Sequence, residues 1–349
     1  MIKQLPSPRR SAFPRPHMIF TCLLAGSLSL AAAQAPKPAA TPAPAPAAQP
    51  AQAIPPQPAP GQAGEAQTDV NTPTIKLGVN EVNLIFTVTD KKGHYIPNLQ
   101  QSDFALLDNQ RAPAQVTSFH QQINLPLRVG IVIDTSTSIH SRFQFEQQSA
   151  TEFLLQVLKA KGDRAFVMGF DVTPNVTTDW TDNMDALETG INRLRPGGGT
   201  ALFDAVYTAC RDKLLTARGQ EPVRKAIILI SDGEDNQSRV YLSEAIKECE
   251  RAETIIYAIS TNWTPSRGPG DKVLTQLAED TGGEVFFPPS AEDMSTSFND
   301  VATELRSQYA LTYTPADLKM DGSFRTIYLY CYDRRYTVRA RKGYFAPKE

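Results

Sequence analysis

Two short stretches constrain this chain more than any others: residues 129–133 (VGIVI), followed by Asp134, and residues 225–230 (KAIILI), followed by Ser231 and Asp232. A strand with one wet face alternates apolar and polar side chains. A run without alternation belongs to a strand covered on both faces, as in the middle of a parallel sheet with helices on either side. Each of these strands then stops abruptly at a carboxylate. A sheet of this kind places the ends of its strands, and whatever polar groups sit there, in a crevice at one edge of the core.

The intervening pattern fits that reading. Helical spacing is expected over 143–158, 184–194, 201–215, 243–252, 272–280 and 294–306. Further strands are expected at 164–170, 176–178, 254–260 and 284–287. Strands alternating with helices give an α/β architecture, here doubly wound and mostly parallel, with helices on both faces. Six strands in the order 3-2-1-4-5-6, counted within this region, would make the two constraining runs neighbours at the point where the order reverses.

The flanks are of another kind. Residues 74–122 alternate as β-structure, with Val82, Leu84, Phe86 and Val88 on one face and turns at Lys92-Gly93 and Asp108-Asn109. Residues 308–346 alternate again. Each flank supplies about three strands, too few to bury a core alone. The expectation is therefore one small β-sandwich-like domain made of 74–122 and 308–346, with the α/β domain, residues 125–306, inserted between them.

Ahead of these lies a segment with a different task. Lys3, Arg9, Arg10 and Arg15 precede an apolar run over 18–33 that closes on three alanines. A basic start, a short apolar stretch and small residues at its end describe a secretory signal peptide over 1–33. The run is shorter than the roughly 20 apolar residues of a membrane span, although retention as an anchor is the alternative. Residues 34–73 are rich in Pro, Ala and Gln and cannot pack a core, so they read as a linker. The net charge of −2 gives no basic face for nucleic acid. No integral span is expected after signal cleavage, and the location follows as secreted or periplasmic, within the cell envelope.

Five oxygen side chains carry the chemistry. In an extended segment residues i, i+2 and i+4 point the same way, so Asp134, Ser136 and Ser138 present three oxygens on one side. The three glycines at 197–199 let Thr200 approach closely. Asp232 arrives from the neighbouring strand. Any one of these pieces alone is an ordinary turn or helix cap; together they converge on one point.

The pattern D-x-S-x-S, then T, then D resembles the metal-ion-dependent adhesion site of the von Willebrand factor A (vWA) family, over about residues 127–306. The flanking stretches around Ser102-Asp103-Phe104 and Lys342-Gly343-Tyr344-Phe345 resemble the VWFA-related secreted proteins described in acidobacteria. The resemblance implies the Rossmann-like vWA fold and a divalent cation, Mg²⁺ before Mn²⁺ or Ca²⁺, held by Asp134, Ser136, Ser138, Thr200 and Asp232. It implies an open coordination position that accepts an Asp or Glu carboxylate from a protein partner. The function so implied is that of an exported, cation-dependent binding protein and not an enzyme.

Two other readings compete with it. One is an envelope scaffold whose metal site only stabilises the fold. The other is a metal-dependent phosphatase of the haloacid dehalogenase type, which needs a second Asp two residues after the first; Ser136 stands there. Glu234-Asp235 reads as a solvated loop. His94, His120 and His140 show no zinc spacing. Arg334, Arg335, Arg339, Arg341 and Lys342 read as the wet face of a strand.

Cys210 and Cys249 fall on helices that right-handed crossovers place side by side. They are either a disulfide or two buried thiols, with Cys331 left over.

Overall fold

The computed structural model describes residues 81–122, 125–137, 143–217, 223–262 and 266–348. The segments read as signal peptide and linker lie outside the described residues. Three strands come first: β1 (Val82–Thr89), β2 (Phe104–Asp108) and β3 (Gln115–Gln122). The first apolar run then forms β4 (Leu127–Asp134), followed by α1 (Phe143–Val157), β5 (Arg164–Phe170), β6 (Pro174–Thr181) and α2 (Met184–Arg193). Helix α3 (Leu202–Thr208) runs into a π-helical stretch over Ala209–Leu214. The second apolar run is β7 (Arg224–Ser231), and α4 (Leu242–Arg251), β8 (Thr254–Ser260), α5 (Pro269–Thr281), β9 (Val285–Phe286) and α6 (Ala291–Leu305) complete the α/β part. The tail adds β10 (Gln308–Thr314), β11 (Phe324–Cys331), β12 (Thr337–Ala340) and β13 (Gly343–Phe345).

The central sheet has six strands in the order β6-β5-β4-β7-β8-β9. All neighbours run parallel except β6, which is antiparallel to β5. Both faces of the two constraining strands are covered, as their lack of alternation requires. Val129, Ile131 and Ile133 pack with α1 and α6, where the rings of Phe153 and Phe298 lie 5.2 Å apart. Val132, Ile227 and Leu229 face α3, α4 and α5 through Leu202, Val206, Cys249 and Leu274. Each fully buried Val, Leu or Ile of this kind contributes about 1.5–3 kcal/mol.

Cys210 in the π-helical stretch and Cys249 in α4 form a disulfide, with Cα atoms 5.0 Å apart. That spacing is tighter than the roughly 8–10 Å between packed helix axes. The expected uninterrupted helix over 201–215 is instead α-helical only to Thr208, and the widened turn carries Cys210. Cys331 is free and buried.

The flanks interleave. One sheet has the order β12-β1-β10-β3, so two strands from before the α/β part alternate with two from after it. The second, β13-β11-β2, mixes them again. Leu84, Phe86, Val88, Leu106, Tyr309, Leu311 and Ile327 fill the space between, with the rings of Phe86 and Tyr309 stacked at 5.5 Å. Asp108, expected only to turn the chain, is buried at the heart of this core. It accepts hydrogen bonds from the hydroxyls of Tyr313 and Tyr344 at 2.8 Å each and pairs with Arg325 at 2.7 Å.

The basic tail is not a wet face throughout. Arg339 pairs with Glu284 and Glu304, Arg341 with Glu253 at 3.2 Å, and Lys342 with Asp280 at 2.6 Å. Those carboxylates belong to the helices and turns of the α/β part, so these cations tie the tail to it. A charge on a strand finds its partner across a domain junction, which strand periodicity alone does not reveal. Among the described residues no helix is long and apolar enough to cross a membrane.

Candidate functional site

Asp134 ends β4 with no solvent exposure. Its Oδ1 accepts the Ser136 backbone N–H at 2.8 Å, and its Oδ2 accepts the Ser231 hydroxyl at 2.7 Å. Ser231 ends β7, the parallel neighbour, whose Ile230 lies opposite Ile133. The same hydroxyl accepts the Gly233 N–H at 3.0 Å, so one serine locks both the carboxylate and the turn that carries Asp232. Burial pushes the Asp134 carboxyl up to about 6; hydrogen bonds from Ser136 and Ser231 pull it back, and the nearby charge of Asp232 adds to the rise. No ion pair among the described residues involves Asp134. A buried carboxylate with hydrogen bonds but no counter-charge is a place where a cation is favoured.

The glycine loop is stitched to the loop after β4. Gly197 N–H donates to the Thr135 carbonyl at 2.7 Å, and the Thr137 hydroxyl donates to the Gly198 carbonyl at 3.0 Å. Gly198 holds φ at +81°, where a side chain is strained, and a Cβ on Gly199 would meet Gln237 and Asn236 at under 3.0 Å. Thr200 is thereby brought in buried. Its N–H donates to Asn236 Oδ1 at 3.0 Å, and its carbonyl accepts the N–H groups of Asn236 and Gln237 at 2.9 and 3.0 Å.

Thr200 does not cap α3. The N-cap is Ala201, without a side-chain bond. The acceptor for the first turn comes instead from Asp235, whose Oδ2 takes the Phe203 N–H at 3.1 Å. Asp235 is thus a structural brace and not merely solvated loop. The half-buried Asp232 accepts the Glu234 N–H at 3.1 Å.

The structure therefore collects Asp134, Ser136, Thr200 and Asp232 at the carboxyl end of β4 and β7. Ser138, the fifth residue, and His140 lie outside the described residues. Ser231 and Asn236 are residues to which the sequence pattern assigns no role, and Asp235 is one that it assigns to a solvated loop. The available signal was Ser231 itself: a hydroxyl ending a strand buried on both faces must find a buried partner.

Among the described residues no group of three or more His, Cys, Asp or Glu side chains is placed to hold a metal ion. The donors here are two carboxylates with hydroxyls, an all-oxygen set that suits a hard cation such as Mg²⁺, Mn²⁺ or Ca²⁺. The site residues fit such an ion.

Comparison with known proteins places this geometry in a family context. Residues 129–300 match the family model of the von Willebrand factor type A domain. A human protein, von Willebrand factor A domain-containing protein 3B, is 28% identical over 165 residues, covering 45% of this chain and 11% of that protein. A UPF0353 protein of Mycolicibacterium gilvum is 23% identical over 202 residues, covering 51% of this chain and 60% of its own length. The chain thus spans less than two thirds of either relative. Among solved structures, the vWF domain of the type V pili tip protein Mfa5 from Porphyromonas gingivalis has a TM-score of 0.43 at 16% identity, covering 52% of this chain and 95% of that one. A von Willebrand factor type A protein from Catenulispora acidiphila has a TM-score of 0.44 at 15% identity, covering 71% and 74%.

Proposed function

Residues 129–300 are a von Willebrand factor type A domain, and from that premise we propose that this protein is an exported, non-enzymatic binding protein. Its A domain takes an Asp or Glu carboxylate of a protein partner onto a divalent cation held by Asp134, Ser136, Ser138, Thr200 and Asp232. The observation that carries the reading is the Asp134 carboxylate: fully buried, fixed by Ser136 and Ser231, and without a basic partner among the described ion pairs.

When bound, a divalent cation supplies an electrophilic position for an incoming carboxylate oxygen. The chain's own residues set that position. Ser231 and the Ser136 N–H hold Asp134 in one rotamer, so its negative charge is aimed before any ligand arrives. The Ser136 and Thr200 hydroxyls offer neutral oxygens, which leave more of the cation's charge for the partner than carboxylates would. Asp232 sits at the more exposed side and balances the charge. No bond is broken in such recognition, and the position two residues after Asp134 holds a serine where a phosphatase needs an acid.

Two features support export. The basic-then-apolar start of the chain has the form of a signal peptide, and the Cys210–Cys249 disulfide suits an oxidising compartment. A purely stabilising role for the cation is less favoured, because hydrogen bonds within the chain already join the three loops.

Calorimetric titration with Mn²⁺ tests the reading, with one site per chain expected and none in Asp134→Ala. Equal heats from the two proteins would remove the assignment. Pull-down from envelope extract in Mg²⁺ and in EDTA then separates binding protein from scaffold: a partner retained only with Mg²⁺ supports recognition.

A further inference from the structure

Thr200 stands between two pieces of chain that do not fix its own backbone. Before it run three glycines, the residues with the widest choice of backbone angles. After it, Ala201 caps α3 without a side-chain bond, and the first carbonyl the helix uses is that of Ala201, to which the Ala205 N–H donates at 3.0 Å. The helix does not use the Thr200 carbonyl. The Asp204 N–H, four residues on, is the regular helical donor to that carbonyl; here it donates to the Ser238 hydroxyl at 3.0 Å instead.

Both main-chain polar groups of Thr200 are taken by the loop that follows Asp232. Its N–H donates to Asn236 Oδ1 at 3.0 Å, and its carbonyl accepts the N–H groups of Asn236 and Gln237 at 2.9 and 3.0 Å. Asn236 therefore holds Thr200 from both sides of its Cα. The other bonds between the two segments serve the helices: Asp235 accepts the Phe203 N–H, and Asp204 Oδ1 accepts those of Arg239 and Val240 at 2.9 and 3.0 Å. The segments touch closely, since a Cβ on Gly199 would meet Gln237 at 2.7 Å and Asn236 Oδ1 at 2.8 Å. Asn236 is itself exposed, so its side chain fills no part of a core.

We propose that Asn236 is a positioning residue of the metal site, its side-chain oxygen fixing the Thr200 backbone and so setting how tightly the site holds a cation. The inference rests on the reading of Thr200 as a ligand given above, and adds a residue that acts only through it. A ligand carried on a loose loop must be ordered as the ion binds, and that entropy comes off the affinity. Partners that hydrogen-bond to ligand residues typically change metal affinity by about 10–100-fold. The loop that holds Thr200 also carries Asp232, so one piece of chain supplies one ligand and fixes the spacing to another.

Calorimetric titration of the full chain with Mn²⁺, beside thermal melts in EDTA, tests this. Asn236→Ala should raise the Kd for Mn²⁺ by about 10–100-fold, while its melt shifts by only about 2–4 °C for the loss of one hydrogen bond. Asn236→Asp keeps an acceptor for the Thr200 N–H and should restore Kd to within about threefold of wild type. Ser238→Ala removes the acceptor of the Asp204 N–H; it should lower the melt at least as far as Asn236→Ala, with Kd again within about threefold of wild type. Wild-type affinity in Asn236→Ala, or no recovery in Asn236→Asp, overturns the proposal. An equal loss of affinity in Ser238→Ala would mean general loosening, and an Asn236→Ala chain that no longer melts cooperatively would make the residue a folding element; either result overturns it as well. Failure of the underlying reading shows differently: a wild type that takes no Mn²⁺, or an Asp134→Ala chain that takes as much, removes the metal site and this inference with it.

Discussion

Asp134 and Asp108 are two buried carboxylates solved in opposite ways. Asp108 has its charge matched inside the chain by Arg325 and two tyrosine hydroxyls. Removing one side of such a buried pair strands the other, so Asp108→Ala should destabilise the chain by about 3–5 kcal/mol in urea titration; a loss under 1 kcal/mol would mean the network is dispensable. Asp134 has hydrogen bonds but no such cation, and its carboxyl sits at about 6 because it is buried. A carboxyl raised above its unfolded value favours folding below pH about 4, and that contribution is lost as pH rises through about 6. In EDTA at pH 7, Asp134→Asn should therefore be at least as stable as wild type, by on the order of 2 kcal/mol. Mn²⁺ should stabilise wild type alone, with affinity falling about tenfold per pH unit below 6 as the proton competes. Calorimetry and thermal melts with and without Mn²⁺ from pH 5 to 8 read both effects; a pH-independent affinity would detach Asp134 from the ion.

At the level of elements, the Cys210–Cys249 bridge joins the helix that begins beside Thr200 to the helix that follows the Asp232 loop. It closes a sequence separation of 39 residues, for which chain entropy gives about 4 kcal/mol. Cys249→Ala should lower stability by an amount of that order, and denatured, unreduced protein lacking residues 1–33 should titrate one thiol, Cys331. Three thiols would contradict the bridge. The strands of the α/β part were legible in the sequence because a buried parallel strand cannot alternate, and 254–260 matches β8 residue for residue. The paired cysteines were legible as neighbours, but not as bonded, since ideal helix packing keeps them too far apart and only the π-helical turn at Ala209–Leu214 shortens the gap. Strand β13 escaped notice because three residues are too few to show a period. At the site, the meeting of Asp134, Ser136, Thr200 and Asp232 at the carboxyl end of β4 and β7 was readable from spacing. Asp235 was not, because its role depends on which loop lies opposite, and sequence distance does not encode that.

For the molecule as a whole, the order of assembly follows from which strands share a sheet. Strand β1 lies between β12 and β10, and among the described residues β3 pairs only with β10. Strand β2 pairs with β11. Every strand before the α/β part thus has its ladder partners after it, across more than 170 residues of chain. Such long-range pairs form late, since the intervening loop must close first. The α/β part contains its own six-stranded sheet and two helical layers, which supply nearly all of the cover of its faces, Ile85 of β1 packing at the margin. A chain ended at Arg306 should then keep the fold of residues 127–305. It should lose order in 82–122, whose apolar face of Leu84, Phe86 and Val88 no longer has Tyr309 and Leu311 to pack against. In a ¹H–¹⁵N spectrum of that shortened chain, the amides of 82–122 should collapse into the narrow range of an unfolded segment while those of β4, β7 and β8 stay dispersed. Dispersed signals from 82–122 would show that the N-terminal strands fold without the tail, and would remove the case for one domain built from both flanks.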